Sequence, residues 1–246
     1  ACVFESAGKE PHEVRVDCFG TGDGTIRARA YVNALGKWSW RIVESADEGK
    51  EISSGTFEVT PSALRGRLLP DSRNPRHWMT ENGDWFLNLN DTAYFLLSPV
   101  DNSGAPVSDE QAMEYVRDAM EHGITSFRSF PPNGSLRLGS HLQGEIAYLN
   151  SVYGDHDFRE PNLANYATVD TRMQRLLDGF PDAYMQFFVL PLGSAWGKDE
   201  PAWHLLPEWK RERLLRYVVA RFAVFPQIFW LVENDAHYGE KFPNNN

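Results

Sequence analysis

The run FPQIFWLVENDAHYG, residues 225–239, concentrates groups able to do acid–base chemistry. An apolar stretch, Ile228 to Val232, leads straight into Glu233, Asn234 and Asp235, and then into His237 and Tyr238. A short apolar run of this kind reads as a buried strand. Alternation along a strand puts Phe229, Leu231, Glu233 and Asp235 on one face, and Trp230, Val232 and Asn234 on the other. Two carboxylates two residues apart on one face repel unless one is protonated or paired with a cation. Raising the pKa of one partner is how a carboxylic acid becomes a general acid at neutral pH. Asp235 and Glu233 are therefore the catalytic candidates, Asp235 ahead of Glu233. A structural bond to an Arg, a Lys or a helix N-terminus is the competing role, and it weighs most on Glu233.

Other predicted strands also end in polar residues. Trp85 to Leu89 runs into Asn90 and Asp91; residues 124–130 carry Arg128; YMQFFVLPL exits to Gly193 and Ser194, with Trp196 just beyond. In parallel α/β folds ligands bind at the C-terminal edge of the sheet, because the following loops and helix N-termini form a cleft there. Polar ends on four successive strands, with carboxylates and an Arg among them, point to such a cleft.

The elements that would position these residues follow from pattern. Residues 1–60 alternate in short runs (HEVRVDCFG, TIRARAYV, KWSWRIVES, SSGTFEVTP) separated by Gly-rich turns, which predicts an all-β segment. Gly20, Gly22 and Gly24 lack the following helix and Lys of a phosphate loop, so they predict a hairpin turn. Residues 61–79, rich in Arg, Pro and Asp, read as a linker. Beyond it strands alternate with helices: Asp109 to Glu121, capped by Ser108 and stopped by Gly123, then Tyr166 to Asp178, then Pro207 to Ala223. That alternation implies a parallel sheet covered by helices.

Composition narrows the chemistry. The chain has 246 residues, 42% hydrophobic and 24% charged, which is a globular balance. A net charge of −10 argues against nucleic acid or an anionic membrane as the partner. No window approaches the ~20 apolar residues of a membrane helix. Two cysteines, Cys2 and Cys18, allow at most one disulfide. No Cys/His spacing suits a metal, and Asp155-His156-Asp157 lacks the rest of a calcium loop, so no metal or cofactor is expected. No Ser sits in a Gly-x-Ser-x-Gly elbow.

The segments NGDWFLNLNDTAYFLL, HGITSFRSF and RYVVARFAVFPQIFWLVENDAHYG resemble the apiosidase-like glycoside hydrolase domain, a (β/α)8-barrel enzyme. GKWSWRI and GTFEVTP resemble the small β-sandwich that often precedes it. The resemblance implies an α/β fold of the (β/α)8 TIM-barrel type with only the first four or so β/α units present, behind a partial N-terminal β-sandwich. The divisions are 1–60 for the sandwich, 61–79 for the linker and 80–246 for the half barrel. It also implies a glycosidase acting on a plant or algal polysaccharide, secreted or periplasmic. Related barrels carry the acid/base as the second residue of a pair after strand four, here Asn234-Asp235, with Asp where Glu is common. Asp91 matches a sugar-binding position and Arg128 one near the nucleophile. His237 and Tyr238 depart from the usual continuation and would line the subsite with Asn234. By residue type, Trp196 suits either stacking on a sugar or packing in the core. Glycosidic cleavage uses two carboxyl groups, ~5–5.5 Å apart for retention and ~6.5–9.5 Å for inversion. The second is expected beyond residue 246, so the chain reads as a fragment. A non-catalytic carbohydrate-binding protein on the same scaffold, or an α/β enzyme of unrelated chemistry using the same cleft edge, would fit the same residues.

Overall fold

The structure is a computed structural model that describes residues 1–8, 10–44, 50–93, 96–99, 101, 105–129, 163–188 and 208–231. The chain forms two compact units, Ala1–Leu64 with Arg213–Pro226, and Arg65–Glu212 with Gln227–Asn246.

In the first unit, β1 (Cys2–Ser6), β2 (Glu13–Val16), β5 (Gly36–Val43) and β6 (Glu51–Val59) form an antiparallel sheet in the order β2-β1-β5-β6. Alternation places the aromatics of these strands on one face. Trp38 lies opposite Phe57 and stacks on it at 6.3 Å, and Phe4 meets Phe57 edge-on at 6.2 Å. Gly55 lies opposite Trp40, and a Cβ there would come within 2.8 Å of the indole, so glycine lets the ring lie flat across the strand. Both cysteines are free, and burial pushes the Cys2 thiol up.

The Gly triplet forms the expected hairpin: β3 (Phe19–Gly20) pairs with β4 (Ile26–Arg27), with Gly22 and Gly24 at φ 92° and 83°. The strand expected over TIRARAYV is confined to those two residues of β4. The Arg side chain just beyond it turns instead to the C-terminal half of a helix, residues 208–222. Arg29 donates to the Arg221 carbonyl at 3.0 Å, and its guanidinium sits 5.2 Å from the Phe19 ring. Tyr217 donates to the Gly20 carbonyl, and Arg216 grips Asp17 at 2.8 Å, holding that carboxyl below its ordinary value.

In the second unit, the span expected as a linker carries strands. β7 (Leu68–Asp71), β8 (Asn74–Thr80) and β9 (Trp85–Phe86) form an antiparallel sheet. The Pro, Asp and Arg that suggested a linker build the turn, where Asp71 accepts from the Arg73 backbone N–H at 2.9 Å and from its guanidinium at 2.8 Å. The strand expected from Trp85 to Leu89, with Asn90 and Asp91 at its end, divides between two sheets. Trp85 and Phe86 pair antiparallel with β8, while β10 (Asn90–Asp91) opens a parallel one.

That parallel sheet runs β10, β11 (Ser126–Ser129), β12 (Tyr184–Phe188), β13 (Ile228–Leu231), with spatial order equal to chain order. Helices α1 (Asp109–Glu121), α2 (Leu163–Gly179) and α3 (Glu208–Phe222) precede β11, β12 and β13. α1 keeps the limits its sequence predicts: Ser108 and Gln111 close a capping box, and Gly123 follows at φ 91°. α2 extends the expected helix by three residues at its start and one at its end.

Candidate functional site

Register and pleat assign the residues of the parallel sheet to two faces. Phe127, Met185 and Phe187 are fully buried on one, where Tyr115 of α1 meets Phe127 at 6.3 Å and Phe187 meets Trp230 at 5.4 Å. The other face carries Asn90, Ser126 and Tyr184 in one row, then Arg128, Gln186 and Phe229 in the next toward the C-terminal edge. The lower row is filled. Phe86 packs on Tyr184 at 4.8 Å, the Tyr184 hydroxyl donates to the Gly66 carbonyl at 2.8 Å, and Ser126 links Asn88 and Asn90. Trp78 of β8 reaches the Phe229 ring at 6.4 Å. Arg128, Gln186 and Phe229 therefore form the next layer of this face above a closed floor, and each is partly exposed.

Asp91 and Arg128 are not brought together. Asp91 lies in register with Phe127, so it belongs to the helix-covered face, whereas Arg128 belongs to the opposite one. The Asp91 carboxylate accepts from the Tyr115 hydroxyl of α1. Burial first, and Asp91 next, push that phenol up to about 12.

Between β10 and α1, the backbone at Leu96, Ser98 and Val107 is held by a side chain of α2. Arg172 of α2 is only 1% exposed. It donates to the Asp109 carboxylate at 2.9 Å, to the carbonyls of Leu96 at 2.8 Å and Val107 at 2.7 Å, and to that of Ser98. A planar guanidinium with five N–H donors suits such a convergent set of acceptors. Among the described residues no three His, Cys, Asp or Glu side chains gather as a metal site would require.

No family model and no curated protein matches the sequence. Among solved structures, the crystal structure of a "putative glycoside hydrolase" from Bacteroides vulgatus ATCC 8482 matches 95% of this chain with a TM-score of 0.66 and 20% identity. The chain has a glycoside-hydrolase-like fold. It spans less than half of that neighbour, 44% of its length.

Of the residues singled out from sequence, Asp91 and Arg128 fall on this sheet as described. Glu233, Asn234, Asp235, His237, Tyr238 and Trp196 lie outside the described residues. Gln186, Asn88 and Ser126 carried no weight in the sequence. The signal for Gln186 was available as the one amide inside the otherwise apolar YMQFF, but its pairing with Arg128 is a matter of register.

Proposed function

We propose that this chain forms the first four β/α units of a (β/α)8-barrel glycoside hydrolase of the apiosidase-like kind, with part of a β-sandwich in front. In this reading it hydrolyses O-glycosidic bonds of a plant or algal polysaccharide. The observation that carries the proposal is the parallel sheet whose strands follow chain order, each preceded by a helix after the first, within a fold shared with a glycoside-hydrolase-named structure. A singly wound parallel sheet is how a (β/α)8 barrel begins, and its C-terminal edge is where such barrels bind substrate.

Asp235 is the general acid/base and Glu233 its alternate, since both follow β13 at that edge in sequence. Arg128, Asn234, His237, Tyr238 and Trp196 contact the sugar, and Asp91 shapes the edge from the helix side. A polymeric substrate places the enzyme outside the cytoplasm, secreted or periplasmic.

The test is hydrolysis of plant and algal polysaccharides by the full-length protein and its Asp235→Asn and Glu233→Gln variants. Loss of a general acid/base is expected to lower kcat by ~10²–10⁴-fold while sugar binding persists. An Asp235→Asn rate equal to that of the unaltered protein would refute the assignment. Sugar binding without hydrolysis by the unaltered protein would favour a non-catalytic carbohydrate-binding role.

A further inference from the structure

We infer that Gln186 is a sugar-recognition residue: its side-chain amide, set beside Arg128 on the sheet face opposite Phe127, hydrogen-bonds a pair of adjacent hydroxyls of the substrate. This rests on the glycoside hydrolase reading and names one residue that sets its specificity. The register places Gln186 directly beside Arg128 on one side and Phe229 on the other. The row below is occupied by Ser126 and Tyr184 with Phe86 against the ring, whereas Arg128, Gln186 and Phe229 in the next row each keep part of their surface exposed.

The strand supplies the physical motive. Tyr184, Met185 and Phe187 are buried, and Gln186 is the only residue of YMQFF able to offer both a donor and an acceptor from a side-chain amide. No described residue hydrogen-bonds that amide, although it is held partly out of water in mid-strand. A polar group kept there carries a desolvation penalty that an apolar side chain would avoid. Departures from the residue type that packing favours are expected at functional sites. An amide gives N–H and C=O at a fixed spacing, matching the donor–acceptor pair of vicinal hydroxyls. Phe229 beside it offers an apolar surface to the sugar's C–H face.

The experiment compares full-length protein with Gln186→Leu and Gln186→Glu on oligosaccharides of xyloglucan, arabinoxylan, pectin and laminarin. The readouts are kcat/KM for the sugar hydrolysed fastest and melting temperature. Gln186→Leu is expected to lose ~10–100-fold in kcat/KM with an unchanged or higher melting temperature. Gln186→Glu, equal in size but without the N–H donors, is expected to lose activity similarly, which keeps the test sound if the Leu variant folds poorly. Unchanged kcat/KM in both variants would overturn the role of Gln186 and leave the hydrolase reading intact. A lower melting temperature in both, with kcat/KM unchanged at a temperature where they remain folded, would mark a structural amide and also overturn it. If the unaltered protein hydrolyses none of the four, both readings fall together.

Discussion

Replacing Arg172 with Met should cost more stability than any other single change of a charged side chain described above. Methionine fills much of the same volume, so the loss is chiefly of hydrogen bonds. The guanidinium is buried and serves one carboxylate and three carbonyls at once. Breaking a buried charge pair from one side costs about 3–5 kcal/mol, because the partners are left in low dielectric without a donor. Asp109 is partly exposed, at 26%, and regains some water, which puts the expectation toward 3 kcal/mol. For a chain of this size each kcal/mol lowers Tm by ~2–4 °C, so a fall of about 6–12 °C is expected. Differential scanning calorimetry measures it. Limited proteolysis adds a local readout, since cleavage near Leu96, Ser98 and Val107 should quicken once their carbonyls lose Arg172. Arg172→Lys keeps the charge but not the planar fork, and should recover only part of the loss. Arg175, which is 43% exposed and pairs with Glu110 at 2.9 Å and more distantly with Asp109 at 3.9 Å, serves as the surface comparison, and Arg175→Ala should move Tm far less. An Arg172→Met protein that melts within about 2 °C of the original, with unchanged cleavage, would refute the clamp.

Gly55→Ala should destabilise the first unit by about 1–3 kcal/mol, because a Cβ at 2.8 Å from the Trp40 indole forces the ring off the strand; urea unfolding followed by Trp fluorescence would show it. The Tyr184 phenol is buried and pushed from 10.0 up to about 12, so it should resist ionisation until strongly alkaline pH. A group with a raised folded pKa contributes stability that is present below pH ~10 and lost as pH climbs toward 12, so alkaline unfolding should be shallower across that window in Tyr184→Phe. The same variant should lose ~0.5–1.5 kcal/mol at neutral pH with the bond to Gly66.

Local signals in the chain predicted what local physics governs. Ser108 and Gly123 bound α1 because caps and left-handed turns are settled within a few residues, and the helix forms between them. The Gly20–Gly24 hairpin and the apolar run at Ile228 are legible for the same reason. Composition misled at residues 61–79, because Pro, Asp and Arg serve a tight turn as readily as a linker, and only the pairing of β7 with β8 separates the two. The break after Phe86 is likewise invisible in an unbroken WFLNLND pattern, since it depends on which sheet each half finds. For the site, residue types alone marked Asp91 and Arg128 as polar strand ends. Only the register put them on opposite faces, turned Asp91 toward Tyr115, and set Gln186 beside Arg128. Neighbours across strands are drawn from positions tens of residues apart, and their pairing is decided by the burial of whole sheet faces rather than by any local pattern.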